Sequence, residues 1–346
     1  VKHLILRGSG WAVLQLIFSV VAYPASSPQG PLAVQNYHPL QGVFLSLPTE
    51  RAETLPKNRL KIDLGFIESN TLNINSNSPD IFILLDLEMS RLDLILTYGI
   101  TETLEVGVEI PFLWRHGGFL DPFIEGVEGL VGATFPARDR RPQNIVDFSV
   151  VRTTDGTSLE FTKGDSGLGD ILLKGKFQLA KENPGHWGIA VRAALKLPTG
   201  DETRVFGSGH LDFGMGTVFQ KSLGHFTLYG DMNLIFPGGS FEPFDWDLRP
   251  IFSFGFAGEY RWTPRFSLLT QLGFHTTPFQ DTGATSLDHG NALELTAGFS
   301  YRIRKDLVWK LGGVENLNRP QSTPDFSVVS SLSFELTPGG QKVNRN

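Results

Sequence analysis

The stretch "DSGLGDILLKGKFQLAKENPGHWGIAVRAALKLPTGD", residues 165–201, decides how the chain is read. Its glycines, acid and lysines invite a phosphate-loop reading, whereas its alternation invites a strand reading. A Walker-type loop needs Gly, four residues, then Gly-Lys-Ser/Thr; Gly175 and Lys176 are present, but Asp170 holds the first glycine position and Phe177 follows the lysine. A dinucleotide fingerprint needs a third glycine and a following helix; "GLGDIL" lacks the glycine and runs into a strand pattern, and "GSGHLDFGMG" fails in the same way. The period of two survives. Ile171, Leu173, Phe177 and Leu179 alternate with Asp170, Lys174, Lys176 and Gln178. Beyond "KENPG", Trp187, Ile189, Val191, Ala193, Leu195 and Leu197 alternate with Arg192 and Lys196, which makes the stretch a hairpin. Its glycines are small residues on pleated strands.

The same period recurs outward in both directions. In "RLKIDLGF" the apolar set is Leu60, Ile62, Leu64 and Phe66; in "LEVGVEIPFLW" it is Leu104, Val106, Val108, Ile110, Phe112 and Trp114. Further strands are expected at about 209–222, 225–237, 247–262, 266–277, 290–304, 307–316 and 325–336. Residues 81–99 read as one long strand whose apolar register slips near Glu88 to Arg91, so a bulge is expected there. The count comes to about twelve, even as in bacterial barrels.

Alternation alone does not separate a sandwich from a membrane barrel, but connection length does. Short links near Thr101, Asn183, Leu223, Pro264 and Lys305 alternate strictly with long ones at 70–80, 116–166, 198–208, 237–246, 278–289 and 317–324. Short periplasmic turns and longer extracellular loops obey that parity, whereas a Greek-key sandwich has no reason to. Tyr98, Trp187, Phe226, Tyr260, Trp262, Phe266, Tyr301 and Trp309 fall near the short links, and Phe112, Trp114, Phe236 and Phe274 near the long ones, as two interfacial girdles. The fold class is therefore all-β, a transmembrane antiparallel β-barrel of about twelve strands.

Composition bounds the chemistry. The chain has 346 residues, no cysteine, 27 Phe and a net charge of −6, so thiol chemistry and disulfides are excluded and the dispersed basic residues form no nucleic-acid footprint. Lys2 and Arg7 followed by "WAVLQLIFSVVAYPA" read as a signal peptide over residues 1–22, and the lack of cysteine excludes a lipoprotein anchor. Residues 23–57 are then a periplasmic or lumenal segment, 58–336 the barrel and 337–346 a tail, in the outer membrane of a Gram-negative bacterium.

The inward parity carries the candidate functional residues. Asp170, Lys174, Lys176, Arg192, Lys196, His210, Asp212, Arg249, Glu259 and Arg302 are expected to line the lumen or its constriction, with Lys61, Arg91, Glu105, Glu109 and Lys310 also inward. A turn centred near Asn183 places Lys174 beside Arg192 and Asp170 beside Lys196, and the next hairpin brings His210 and Asp212 to Lys196. So many charges require either water or mutual pairing. In the long loop, Phe119, Phe123, Val127 and Leu130 share one helical face, and "ARDRRPQN" is a basic cluster that could meet lipopolysaccharide. His116, His210, His275 and His289 are available beside many serines and acids, but no spacing among them is diagnostic of catalysis, and the loop acids are equally unspecific for calcium. No cofactor, metal or catalytic set is assigned.

"GPLAVQNYHPLQGVF", "GFLDPFIEGVEGLVG", "DSGLGDILLKGKFQLA", "ALKLPTGD", "GSGHLDFG" and "FDWDLRP" together resemble a family of proteobacterial proteins catalogued as a domain of unknown function, over nearly the whole chain after the signal. That resemblance implies an outer-membrane barrel and no substrate or catalytic residue. "GLGD" followed by "LPTGD" is also similar to barrels associated with uptake of aromatic compounds. Where many such barrels end on an aromatic, "SLSFEL" here precedes "TPGGQKVNRN", which leaves Phe334 as an internal insertion signal or the tail as unusual. Three functions follow in order: passive passage of small solutes, a non-conducting structural or interaction barrel plugged by "QNYHPLQGVF", and an outer-membrane lipid-modifying enzyme. Membrane lipid, lipopolysaccharide and a small solute are the expected partners.

Overall fold

A computed structural model describes residues 27–75, 78–120, 142–317 and 323–336. The signal segment, most of the "ARDRRPQN" cluster, the tail and most of the helix expected around Phe123 to Leu130 lie outside them.

Twelve strands close into a barrel: β1 (Leu60–Asn75), β2 (Ile81–Gly99), β3 (Leu104–His116), β7 (Ile171–Ala180), β8 (Gly188–Leu197), β9 (Asp212–Leu223), β10 (Phe226–Phe236), β13 (Ile251–Arg261), β14 (Phe266–His275), β15 (Ala292–Arg304), β16 (Leu307–Asn316) and β17 (Phe326–Leu336). Each pairs antiparallel with its neighbours, and β17 returns to β1 with Leu336 opposite Leu60. Closure leaves no exposed edge, which is what a strand fold in hydrocarbon requires. The remaining strands sit at the long-loop end. β4 (Asp147–Arg152) and β5 (Ser158–Phe161) extend β2, β6 (Asp165–Leu168) pairs with the end of β3, and β11 (Ser240–Phe241) with β12 (Trp246–Asp247) makes a small hairpin. One helical turn, α1 (Thr285–Asp288), completes the mouth.

The outward parity is apolar along the wall. Leu64, Phe66, Leu92, Val106, Leu173, Phe177, Met232 and Phe256 are all exposed, as a lipid-facing surface must be. Trp187, Phe226, Trp262 and Tyr301 are exposed near the short turns and Phe236 near the long loops, in keeping with the girdle expectation.

Two expectations need correction. No bulge interrupts β2: its register with β1 runs unbroken from Leu60 opposite Tyr98 to Asn75 opposite Ile83, and its register with β3 is equally continuous. The slip in the apolar pattern has another cause. Odd residues face inward throughout, but Ile81, Ile83, Leu85 and Leu87 enter a dry core at the mouth, whereas Arg91 and Asp93 enter a charged lumen. Lys174 does not face Arg192 either. Lys176 does, Lys174 lies opposite Ala194, and Leu172, not Asp170, lies opposite Lys196, because the Asn183–His186 bridge centres the turn beyond Asn183; the irregularity between Gln178 and Ala180 takes back only one residue of that offset.

Candidate functional site

The lumen is filled by the chain's own residues 27–58, which run up one side of the barrel and down the other. At the short-turn end, Arg302 donates to the Ser27 carbonyl at 2.8 Å and Gln29 donates its side-chain amide to the Arg265 carbonyl at 3.3 Å. The ascending limb is held to the wall by Gln271, which exchanges hydrogen bonds with the Leu32 backbone at 2.6 and 3.1 Å, and by Lys310, which donates to the Pro31 carbonyl at 2.7 Å. Higher up, the Asn36 amide meets His275 at 2.8 Å. The chain turns over at residues 38–44 and descends. Leu45 N–H donates to Asp212 at 2.9 Å, Ala52 N–H to Gln220 at 3.2 Å, Leu55 N–H to Glu105 at 2.5 Å, and Asn58 N–H to the Gly99 carbonyl at 2.9 Å. A segment without regular structure has many backbone groups to satisfy, and here the inward polar side chains satisfy them.

The inward charges are paired with each other and with this segment. Arg91 bonds Asp93 and Glu109, each at 2.7 Å, and Lys174 closes on the same Glu109. Lys176 bonds Glu50 and Glu105, both at 2.8 Å. Arg192 bonds Glu50 at 2.9 Å, Asp231 at 3.3 Å and Asn233 at 2.8 Å, and donates to the Leu47 and Pro48 carbonyls at 3.0 and 2.6 Å. Lys196 bonds Asp170 at 2.6 Å, Asp212 at 3.3 Å and the His210 carbonyl at 3.3 Å, with Ser208 also in contact. Glu259, fully buried, accepts from the Gln29 and Gly30 N–H groups at 3.0 Å and from Tyr229 and Ser267 hydroxyls at 2.7 Å. Buried charges are tolerable when so paired, and removing one member strands the other.

Of the ten candidate residues, Asp170, Lys196, His210 and Asp212 come together as one group near the mouth, and Lys176 and Arg192 join a second through Glu50. Lys174 belongs to the Arg91 group instead, Glu259 anchors the start of the ascending limb, and Arg302 holds its lower end. Arg249 is not on the lumen wall. It precedes β13 and donates to the Thr277 carbonyl at 3.1 Å and to the Asp288 carbonyl, tying two mouth loops together. Sequence reasoning missed Glu50 and Asp231. The second was legible, since Tyr229, Asp231 and Asn233 share the inward parity of β10; the first lies in a stretch with no period to reveal its direction.

Between the limbs and the β10–β15 wall lies a cavity of about 80 Å³. Asn36, Leu45 and Thr49 bound it on the segment side, and Asp231, His275 and Glu294 on the wall. It exceeds the roughly 30 Å³ that one water occupies in the liquid, so it has room for a few waters or a small molecule. Above it the mouth is apolar: Phe44, Phe241, Trp246 and Phe279 pack with ring centroids 5.3–6.3 Å apart.

A family model described as "Protein of unknown function (DUF3187)" matches residues 12–336. The chain belongs to this family. Among solved structures, the COG4313 outer membrane channel from Pseudomonas putida F1 is similar at 15% identity with a TM-score of 0.55, covering 84% of this chain and all of that one. The NanC porin is similar at 9% identity and a TM-score of 0.45, covering 80% of this chain and all of that one, and the P. putida toluene transporter TodX at 10% and 0.39, covering 81% and 90%. No curated protein matches the chain. The first of these likenesses shows the fold, and together with the apolar outer wall it makes this protein an outer-membrane β-barrel.

Proposed function

We propose that the protein is a passive outer-membrane conduit for small solutes, in which the lumenal segment sets what passes. The observation that carries this reading is the cavity between the two limbs, lined by polar groups such as Asn36, Asp231 and Glu294 and by apolar ones such as Leu45 and Ile251, inside a closed barrel with inward charges on most of its strands. A barrel that only braced the membrane would have no use for a space at its centre into which polar groups converge among apolar ones. Asp170, Lys174, Lys176, Arg192, Lys196, Asp212, Glu259 and Arg302 would act through the segment they hold, not as a bare charged ring. The outward apolar wall meets membrane lipid, and the mouth loops face lipopolysaccharide. The density of segment-to-wall bonds also supports a closed resting state, in which the barrel conducts only when the limbs shift. The decisive experiment is single-channel recording of the refolded chain in a planar bilayer, with heat-shifted gel mobility as the folding control. Discrete steps are expected, in bursts if the segment gates; a folded barrel that stays silent at all voltages sinks the conduit reading.

A further inference from the structure

Outside the lumen, Glu68, Glu88 and His116 stand on the outward parity of β1, β2 and β3. The register sets Glu68 opposite Ser90 and Glu88 opposite His116. Phe66, the outward residue before Glu68 on β1, and Leu92, the one after Ser90 on β2, are 44% and 39% exposed, so the cluster begins where the apolar belt ends on the mouth side. One ligand atom from each of the three residues lies within 4.8 Å of the others.

The charge balance of this cluster is unusual. Glu68 and Glu88 are 2% and 0% exposed, covered by the chain after β3, whose Phe119 and Leu120 N–H groups donate to Glu88 at 3.0 and 2.7 Å. Gly118 lies so close that a side chain there would occupy the space of the Glu88 carboxylate. Among the described residues no Lys or Arg bonds either carboxylate, in contrast to Asp93, Glu105, Glu109, Asp170, Asp212 and Asp231 in the lumen. Two buried carboxylates at this separation oppose each other's ionisation unless a cation joins them. The hydrogen bonds leave a place for one. Ser90 donates to Glu68 Oε2 at 2.6 Å and its hydroxyl lies 2.8 Å from His116 Nε2, while Glu68 Oε1, buried and 3.2 Å from that nitrogen, makes no hydrogen bond.

We propose that Glu68, Glu88 and His116 form a three-ligand site for a divalent transition-metal ion of the zinc class on the outer wall of the barrel. Two carboxylate oxygens and one imidazole nitrogen suit such an ion, whereas calcium and magnesium take oxygen ligands. Three protein ligands leave a fourth position open to water or to an external donor. The bound ion neutralises the carboxylate pair and fastens β1, β2 and β3 to the chain that folds over them. This site is independent of the conduit reading, since it lies on the opposite side of the wall.

The test uses the untagged full chain, refolded in detergent micelles and stripped with a chelator. Zinc is titrated by calorimetry, and retained metal is counted by elemental analysis after dialysis. One zinc per chain is expected, with at least a tenfold weaker affinity in His116→Asn and in Glu68→Gln, and a zinc-dependent rise in melting temperature seen only in the parent. Glu68→Gln keeps an acceptor for Ser90, and heat-shifted mobility confirms that each variant is folded. Less than stoichiometric retention by the parent, or equal binding by the parent and His116→Asn, overturns the assignment.

Discussion

The inward face of β2 passes through two different interiors without changing parity. In its upper half Ile81, Ile83 and Leu85 are almost fully buried beside Phe44, Phe148 and Phe279; in its lower half Arg91 binds Asp93 and Glu109. The upper interior is closed by shape and dispersion, which ions and protons do not address. The lower one is closed by charges that bind residues 45–55 to the wall, and it answers to both. The same chain segment therefore has a firm top and a switchable shaft.

The largest effect expected on this division comes from deleting residues 27–57. The charged wall then faces an open lumen, and conductance in a planar bilayer should rise several-fold over that of the full chain. A deletion variant that folds but conducts no better would mean that the wall side chains collapse across the lumen and the segment is not the barrier. Next is Arg192→Met. Its guanidinium joins Glu50, Asp231, Asn233 and two backbone carbonyls, and its removal leaves two acids short of their cation. Breaking a buried pair in this way costs about 3–5 kcal/mol, readable as a lower urea midpoint in micelles. The counterpart in the upper half is Phe279→Ala. This ring is fully buried against Phe44, Phe241 and Trp246, and its loss should cost about 3 kcal/mol, the low end of such truncations because the surrounding loops can settle.

Acid should act on the segment from two sides. Burial lowers the His38 imidazole from 6.5 to about 3, so its contribution is complete above 6.5 and is lost progressively as pH falls from 6.5 to about 3, where the unfolded chain takes up a proton that the docked segment refuses. Glu50 would be raised by burial, but Lys176 and Arg192 reverse this and hold it at about 2, below its ordinary 4.5. Its contribution is complete above 4.5 and fades below it, and since its side chain is 37% exposed the effect is modest. The hydrogen-exchange protection of residues 36–50, taken relative to the intrinsic rate at each pH, should thus fall in two steps on acidification, and His38→Gln should remove the upper one. Protection that stays flat down to pH 3 would show that neither group titrates with docking.

The wall was legible in the sequence because a barrel strand has one strict rule, alternate faces, and residues such as Lys176 and Phe177 state it without help from distant contacts. That Asp170 and Lys196 share the inward face, where they bond diagonally, followed from that rule. The register itself did not, since the turn is centred beyond Asn183, which sets Lys176 opposite Arg192 and Leu172 opposite Lys196, and neither that nor the irregularity beside Ala180 leaves a compositional mark. The path of residues 27–58 was hidden for a deeper reason. It has no period, and its direction is set by side chains such as Gln271 and Asp212 that meet it from more than 160 residues away. The outward site at Glu68 was hidden by the opposite effect, because polar residues at the end of an apolar face read as the edge of the membrane.

The smallest effect tests whether burial, and not charge pairing as such, separates the two kinds of ion pair. Arg204 binds Asp165 at the barrel mouth through two nitrogens, a geometry as favourable as that of any lumen pair, with side chains 33% and 41% exposed. Water competes for both groups there, and loss of one partner leaves the other solvated. Arg204→Gln should therefore leave the urea midpoint within error of the parent, although Arg204 also stacks 4.9 Å from the Phe206 ring. A drop comparable to that of Arg192→Met would mean that the mouth loops are part of the cooperative unit, and the line between firm mouth and switchable shaft would have to be drawn by packing around Phe206 instead of by solvent access.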